Sequence, residues 1–436
     1  MGQQAGLRDR AAGVVIGAMT TTDIHRAIET TWRAESARLI AALARMVRDV
    51  GLAEELAQDA LVAALERWPE AGMPDNPAAW LMATAKRRAI DRLRRSKLQW
   101  RKHAEIAREL EAQQAMAPGF EEALDDDIGD DLLRLVFTAC HPVLPREGRV
   151  AMALRMLCGL STDEIARAFL VPEPTMAQRI VRAKRTLSEK QVPFEVPRGD
   201  DRLERLASVL EVIYLVFNEG YAATAGEDWL RPALCEEALR LGRTLATLMP
   251  REPEVHGLLA LMELQASRAA ARVGKDGEPV LLLDQDRTQW DQALIRQGLA
   301  SLERAEALGG REGSHALQAA IAACHARAAR ADDTDWPRIV ALYDALVRVL
   351  PSPVVALNRA VAVSMAAGAE AGLAAIDAIA GERALRDYHL LPSVRGELLR
   401  RLERFDEARA EFERAAGMTR NVRERELLLA RARECA

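Results

Sequence analysis

The sequence predicts an all-α protein, and its composition and hydrophobic spacing support that prediction. Hydrophobic residues make up 49% of the 436 residues, but aromatic residues make up only 4%. Alanine, leucine and arginine dominate the chain and are strong helix formers, whereas sheets are usually enriched in aromatic and β-branched residues. Apolar residues recur with helical spacing nearly throughout. A chain of this length usually forms about two to four domains, so we expect several packed helical units.

Four stretches rich in proline, glycine or acids interrupt the helical pattern and divide the chain. They cover residues 68–77, 118–131, 193–201 and 274–279. The resulting organisation has two small helical units, a linker and a long C-terminal region. We expect a disordered tail over 1–22, a first unit over 23–100, an acidic linker over 101–130, a second unit over 131–192, a helical extension over 200–330 and helical repeats over 331–436.

The charged residues are segregated along the chain. The formal net charge is -5, which by itself argues against a nucleic-acid binder. Residues 86–102, however, carry nine lysines and arginines against a single acid, Asp91, whereas residues 121–131 are rich in acids. A slightly acidic average therefore hides a basic stripe, which is the electrostatic feature that matters for phosphate binding.

Other patterns exclude several classes of protein. The five cysteines are scattered and form no C-x-x-C pair, which predicts neither a disulfide framework nor a zinc site. No apolar run approaches the length of a membrane span, so we expect a cytoplasmic protein without a membrane partner. No nucleophile and base share a recognised spacing, and there is no glycine-rich phosphate loop. We therefore expect no enzyme activity and no metal or other cofactor.

The second unit contains the pattern of a helix-turn-helix. Ser161 and Glu164 have the spacing of a capping box at a helix start, and Pro172 and Pro174 break the chain before another helix. Four apolar residues would give that helix an inward face: Met176, Ile180, Val181 and Ala183. Polar residues of the same helix would reach base edges or phosphates in a DNA groove, namely Thr175, Gln178, Arg179, Arg182, Lys184 and Arg185. A charged amphipathic helix without a ligand is the alternative.

The first unit offers a second candidate surface over residues 76–95. An apolar face would consist of Trp80, Leu81, Ala85, Ala89 and Leu93. Opened DNA needs cations for its phosphates and an aromatic platform or pocket for unstacked bases. This segment provides candidates for both: Asn76, Trp80, Lys86, Arg87, Arg88, Arg92, Arg94 and Arg95. A core position for Trp80 is the alternative.

In this order, the two units resemble regions 2 and 4 of extracytoplasmic-function sigma factors. Residues 80–95 are similar to regions 2.3 and 2.4, residues 144–157 to region 4.1 and residues 159–187 to region 4.2. The resemblance implies that the first unit opens and reads the minus-ten promoter element. It also implies that the second unit reads the minus-thirty-five element.

Residues 52–68 look like region 2.2, the helix by which such factors dock on RNA polymerase. The polar contacts that the resemblance implies are Glu55, Gln58 and Asp59. The implied partners are promoter DNA and the RNA polymerase core, through the clamp helices of its largest subunit and the flap of the second. A factor of this kind acts at the nucleoid, in the cytoplasm.

The chain after residue 200 looks like the C-terminal extension of one subgroup of these sigma factors. The matching strings cover residues 216–221, 229–231, 256–262 and 283–291. In that subgroup the extension ends in tetratricopeptide-like (TPR-like) helices and is thought to regulate the factor, which implies a regulatory protein or ligand as a further partner. Residues 395–415 resemble a TPR repeat, and an apolar pattern from Ala360 recurs from Gly396. Antiparallel hairpins without TPR geometry are the alternative.

Some alternatives stay open at this point. A polar set in the extension that includes Glu219, Arg231, Arg268 and Arg287 could fix helix packing or line a small-ligand pocket. Two other functions fit parts of the pattern: a helix-turn-helix regulator with a TPR sensor that acts without polymerase, and a TPR scaffold with basic adaptor helices. The docking pattern at residues 52–68 argues against the independent regulator.

Overall fold

The structure is a computed structural model, and it describes residues 21–106, 128–169, 171–223, 225–226, 230–274 and 278–435. Helices form most of these residues, which confirms the all-α prediction. None of the described helices combines the length and apolarity that a bilayer crossing requires. Most of the predicted disordered tail and acidic linker lies outside the described residues.

Three long helices make up the first unit: α1 (Thr21–Val47), α2 (Val50–Ala71) and α3 (Pro77–Ile106). Each of them packs against the other two. Asp49 accepts a hydrogen bond from the backbone N–H of Leu52 (2.8 Å) and thereby caps α2. Asn76 caps α3 in the same way through the N–H of Ala79 (3.0 Å). A side-chain cap thus stabilises the start of both α2 and α3, just after the turns that connect the three helices.

Four shorter helices form the second unit: α4 (Ile128–Ala139), α5 (Arg146–Met156), α6 (Thr162–Ala168) and α7 (Glu173–Glu189). The predicted capping box is present, because Ser161 Oγ accepts from the N–H of Glu164 (3.1 Å) and the Glu164 carboxylate accepts from the N–H of Ser161 (2.7 Å). Gly159, in the turn before it, has a φ of 69°, which favours glycine. A Cβ there would lie 2.5 Å from Ser36 Oγ in α1, so the turn approaches the first unit closely.

The extension is a succession of helices, each packed on the next from α8 onwards. Its first part contains α8 (Asp200–Tyr221), α9 (Pro232–Leu248), α10 (Pro253–Ala266), α11 (Gln292–Ala307) and α12 (Ser314–Arg327). Its second part contains α13 (Trp336–Val349), α14 (Pro353–Ala367), α15 (Ala369–Asp377), α16 (Leu390–Arg401), α17 (Phe405–Met418) and α18 (Val422–Glu434).

The repeat predicted from Ala360 and Gly396 falls on consecutive helix pairs, α14–α15 and α16–α17. In the second pair, Gly396 lets α16 approach α17 so closely that an added Cβ would lie 3.1 Å from the ring of Phe412. The assignment of these pairs to TPR geometry and the domain boundaries remain predictions.

A short parallel pairing joins distant parts of the extension. β1 (Ala225–Gly226), after α8, pairs with β2 (Arg420–Asn421), between α17 and α18. Asn421 is 1% exposed, and its side-chain amide donates to the backbone carbonyl of Ala223 (3.1 Å). The helical succession therefore returns to its own beginning.

One hydrophobic core extends through the first unit, the second unit and the start of the extension. It includes residues from Ile24 in α1 to Met262 in α10. Phe137 of α4 and Phe217 of α8 are fully buried in it. Separate clusters lie in the rest of the extension. The two units and helices α8 to α10 therefore pack as one body in this structure.

Phe412→Ala should destabilise the C-terminal helices, because Phe412 is fully buried against α16. Truncation of a buried phenylalanine usually lowers the free energy of unfolding by about 3–5 kcal/mol. Urea unfolding followed by circular dichroism measures the change. Phe405→Ala in the same helix is the matched control, since Phe405 is 47% exposed and should lose no more than about 0.5 kcal/mol. Equal losses in the two variants would contradict this packing.

Candidate nucleic-acid interface

Helix α7 presents most of the polar face that the sequence predicts. The helix packs on α5 and α6. Its buried stripe consists of Met176, Ile180, Ala183 and Leu187. Exposed on the other side are Thr175, Gln178, Arg182 and Arg185, with Arg179 half-buried beside them. This face has polar residues in the first half of the helix and arginines in the second half, an arrangement suited to a helix that enters a DNA groove.

The predicted inward position of Val181 is wrong. Its side chain is 62% exposed, beside Arg182 on the outer face of α7. The buried positions follow Ile180 by three and seven residues, whereas Val181 lies about 100° further round the helix. The hydrophobic character of Val181 did not predict its burial correctly. The face of α7 that packs on the rest of the second unit is narrower than the apolar pattern suggests.

Lys184 lies at a contact between the two units and not on the outer face. Its ammonium group donates to the carboxylate of Glu54 in α2, and its side chain is only 20% exposed. The prediction that Lys184 contacts a phosphate is untested. In this arrangement, such a contact would require the pair with Glu54 to break.

Helix α3 carries basic side chains on several sides around a narrow buried stripe. Leu81, Ala85 and Ala89 are buried, as the apolar pattern predicts. The predicted cations are exposed or half-buried along the helix: Lys86, Arg87, Arg88, Arg92, Arg94 and Arg95. The structure thus places all six on one helix, accessible to solvent on several of its sides; we call these six residues the basic row.

Asn76 and Trp80 both have structural contacts at the start of α3. Asn76 is the N-cap of the helix. The half-buried Trp80 ring contacts the buried Trp68 ring edge to face, with their centroids 5.3 Å apart. Trp80 therefore lies at the rim of the core, and part of its ring remains in contact with solvent.

The residues predicted to contact polymerase face the basic row across a groove. Glu55 and Asp59 of α2 are exposed, and they line a cavity of about 210 Å³ whose other wall carries Arg88, Arg92 and Arg95. The closest approach is 3.7 Å, between Arg88 Nη1 and Asp59 Oδ2. Sequence spacing did not foresee that the two predicted surfaces would adjoin. Exposed pairs of this kind are weak, so each side is available to other partners.

A buried carboxylate that the sequence analysis did not single out joins the two units. Glu54 in α2 is 2% exposed, and it accepts a hydrogen bond from Arg155 Nε in α5 (2.9 Å). It also accepts from Lys184 in α7 and from Gln58 in α2. Gln58, one of the predicted polymerase contacts, is thereby half-buried. We call these four residues the Glu54 cluster.

One sequence signal could have identified Glu54. It occupies a position within the buried stripe of α2, between Ala53 and Leu56, where an apolar residue is usual. An acid at such a position needs a partner, because a buried charge is costly unless it is paired. The partners lie 101 and 130 residues further along the chain, so the sequence did not indicate which cations they are.

Two further contacts hold the helix-turn-helix against α1. The indole N–H of Trp32 donates to the carbonyl of Gly159 (3.1 Å). Arg33 Nη2 donates to Glu164 Oε1 (2.5 Å), the carboxylate that also completes the capping box. The start of α6 is therefore fixed by the first unit as well as by its own cap.

Helices α8 and α9 of the extension hold the other side of the second unit. Arg231, just before α9, donates to the carbonyl of Ala168 at the end of α6 and pairs with Glu219. Arg240 donates to the carbonyl of Leu157, which ends α5 (2.8 Å). Both helices that precede α7 thus end on arginines of the extension.

Part of the polar set in the extension is committed to helix packing. Arg287 donates to the carbonyls of His325 and Ala328 (both 2.7 Å) and to Thr334 Oγ1 (3.1 Å). Burial, together with the positive charges of Arg268 and Arg287, lowers the pKa of His325 to about 4, so this imidazole is neutral at pH 7. Across the described residues, no group of three or more His, Cys, Asp or Glu side chains is placed to hold a metal ion.

Three family models match the chain. The model for sigma-70 region 2 matches residues 32–99, and the model for sigma-70 region 4 matches residues 134–187. These ranges lie in the first and second units. A family of unknown function (DUF6596) matches residues 205–306, which include helices α9 and α10 and most of α8 and α11.

Two relatives differ in how much of the chain they cover. An uncharacterized protein of Rhizobium meliloti (strain 1021) is 46% identical over 388 residues, which are 88% of this chain and 90% of that protein. A probable ECF RNA polymerase sigma factor of Mycobacterium tuberculosis, SigI, is 26% identical over 182 residues. That match covers 41% of this chain and 60% of the mycobacterial protein.

Glu54→Gln should destabilise the contact between the units, because it leaves Arg155 and Lys184 without their carboxylate. Breaking a buried ion pair in this way typically costs about 3–5 kcal/mol, and the partial exposure of the two cations places the expected loss at the lower end. Chemical denaturation measures the loss, and hydrogen exchange in α7 locates it.

The matched control is the neighbouring change Glu55→Gln, since Glu55 is exposed. It should leave stability and exchange within about 0.5 kcal/mol of the unmodified protein. A Glu54→Gln variant as stable as this control would show that the Glu54 cluster does not hold the units together.

Proposed function

The chain belongs to the sigma-70 family of RNA polymerase sigma factors, and from that premise we propose that it directs the core polymerase to promoters with minus-ten and minus-thirty-five elements. Region 2 and region 4 matches in the expected order, each on a unit with an exposed polar helix, carry this proposal. The protein would act without covalent chemistry, at the nucleoid in the cytoplasm.

In this proposal, helix α7 reads the minus-thirty-five element. Thr175 and Gln178 lie in its first half, where recognition helices contact base edges in the major groove. Arg179, Arg182 and Arg185 follow and would contact phosphates, which position the helix without reading sequence. The exposure of this face supports the assignment, since neither the first unit nor the extension covers it.

The basic row of α3 would hold the strands of the minus-ten element. Lysines and arginines along one helix follow a phosphate backbone, and an aromatic ring at the end of the row can stack on an unpaired base. Trp80, which is half-buried, and the cap residue Asn76 lie at the start of the helix.

The acidic wall of the groove between α2 and α3 would face the polymerase clamp. Glu55 and Asp59 are exposed carboxylates, and Gln58 lies between them in sequence. If these acids bound polymerase, the weak ion pair between Arg88 and Asp59 would be lost. The cations of the basic row would then be available to DNA. Polymerase binding and DNA binding would then favour each other electrostatically.

The two units must separate for both elements to be bound at once. The element names place their centres about 25 base pairs apart, which is about 85 Å of duplex. Helices α3 and α7, however, both pack on α2, whose 22 residues span only about 33 Å. We therefore infer that the structure represents a closed state and that opening breaks the Glu54 cluster.

The extension would regulate the factor through its packing on the second unit. Arg231 and Arg240 hold the ends of α6 and α5, and helices α8 to α10 complete the core of both units. Removing residues after 195 would expose that core, so we expect the isolated 1–195 fragment to be less stable than the full chain. A regulatory protein or ligand acting on the extension could use this connection.

Run-off transcription with purified core polymerase tests the proposal directly. On a promoter library, the full chain should produce initiation that depends on a defined pair of elements. If neither the full chain nor its 1–195 fragment supports initiation with core polymerase although the protein binds duplex DNA, the protein is instead a helix-turn-helix regulator that acts independently. Absence of both DNA and polymerase binding would leave a scaffold role.

Two substitutions in α7 should separate base reading from phosphate binding. Gln178→Ala should relax sequence preference at one position of the upstream element by about 1–3 kcal/mol. Arg182→Ala should weaken binding to all sequences about equally and lower the salt dependence by about one counterion. Competition across the same promoter library measures both effects.

Arg409→Ala is the control for charge removal, because Arg409 is an exposed arginine on the remote helix α17. It should change neither sequence preference nor salt dependence. An unchanged preference in the Gln178→Ala variant would remove Gln178 from the base-reading residues.

A further inference from the structure

A cavity of about 700 Å³ lies between the first and second units and is separate from the groove between α2 and α3. Its walls come from the end of α1, the start of α2, helix α4, the end of α7 and the segment after α7. A volume of this size is typical of sites for small molecules up to the size of a nucleotide. Neither the DNA-binding nor the polymerase-binding assignments use it.

The cavity walls carry more positive than negative charge. Four of the lining residues are cationic, namely Arg45, Arg48, Arg134 and Lys184, and two are acidic, Asp49 and Glu195. Asp49 is already occupied as the cap of α2. The imbalance makes the cavity more favourable for an anion than for a cation or a neutral ligand.

Three of these cations share carboxylates just behind the cavity wall. Arg45 and Arg134 both contact Asp131, at 3.1 Å and 2.5 Å. Lys184 shares Glu54 with another cation of the second unit. Arg48 differs from them, since it is an exposed residue that forms no ion pair with a carboxylate of the described residues. Arg48 is therefore the lining cation whose donors are available to a ligand.

The backbone is also unusual at two of the residues that line this cavity. Among the described residues, three that are not glycine have a positive φ, and two of them, Arg48 (55°) and Gln191 (48°), line the cavity. Each follows the C-terminal end of a helix, where glycine is the usual residue in this conformation. A residue with a side chain therefore occupies each of these positions although the backbone conformation there favours glycine. Strained backbone of this kind recurs at ligand sites.

We propose that this cavity binds a small phosphate-bearing anion, with Arg48 and Gln191 as the side chains that contact it. A guanidinium offers two parallel N–H donors that match the geometry of phosphate oxygens, and the amide of Gln191, another residue of the cavity wall, adds a neutral donor.

Because the walls come from both units, the ligand would bind the closed state alone. A ligand at about 100 times its dissociation constant would then favour that state about 100-fold. Its effect would be inhibition of promoter binding. This consequence for transcription rests on the proposed function, whereas the binding itself does not.

Isothermal titration calorimetry of the full chain with inorganic pyrophosphate and, separately, with ADP tests the proposal. We expect saturable binding of at least one probe to the unmodified protein and a loss of at least about tenfold in affinity for Arg48→Gly, which removes the bidentate donor. Tighter binding of ADP would indicate a nucleotide-like ligand, and equal binding would indicate recognition of the phosphates alone.

The same variant should gain stability in the absence of ligand. Glycine relieves the positive φ, so Arg48→Gly should raise the melting temperature by about 1–2 °C while it weakens binding. Glu403→Gly is the matched control, because Glu403 is the third residue with a positive φ (60°) and is exposed in the remote turn between α16 and α17. It should raise the melting temperature similarly and leave binding unchanged.

The outcomes separate the alternatives. Failure of the unmodified protein to bind either probe, or equal binding by Arg48→Gly and the unmodified protein, would overturn the proposal. Since calorimetry uses neither polymerase nor promoter, a negative result there leaves the transcription assay unaffected. Conversely, probe binding by a chain that supports no initiation would refute the sigma factor role and not the site.

Discussion

A buried carboxylate, Glu54, joins region 2 to region 4. Glu54 is removed from water, and Arg155 and Lys184 are the cations that offset the cost of burying its carboxylate. These partners come from two helices of region 4, so the interaction is complete only when both regions adopt this one relative orientation. A buried ion cluster of this kind specifies geometry more than it adds stability, because its attraction mostly offsets the desolvation of the charges.

Stability comes instead from the hydrophobic core that surrounds the cluster. Helices of region 2, region 4 and the extension contribute to the same core, which ranges from Ile24 to Met262. The extension therefore acts on region 4 by direct packing, and Arg231 and Arg240 extend that packing to the ends of α6 and α5. Helix α8 packs on α5, which packs on α7, so any partner that loosens α8 would reach α7 through one intervening helix.

The sequence was sufficient for features that depend on neighbours in the chain. The all-α class, the capping box of Ser161 and the exposed face of α7 follow from spacings of three and four residues, and the structure contains all three. Features that depend on distant segments were missed. Lys184 looks like an outward cation until Glu54, 130 residues away, is placed beside it. Helical periodicity can predict that a residue faces inward, but it cannot predict which other segment of the chain that residue contacts.

The pairing of β1 with β2 changes how the extension has to fold. In an open array of repeats, helices can form and melt from either end, because each contacts only its neighbours. Here Asn421 reaches back 198 residues to the carbonyl of Ala223, which closes the array into a ring. Closing so long a loop is entropically slow, and during synthesis on the ribosome it has to wait until β2 has emerged. Region 4 would therefore gain its fully assembled support only after nearly the whole chain has been translated.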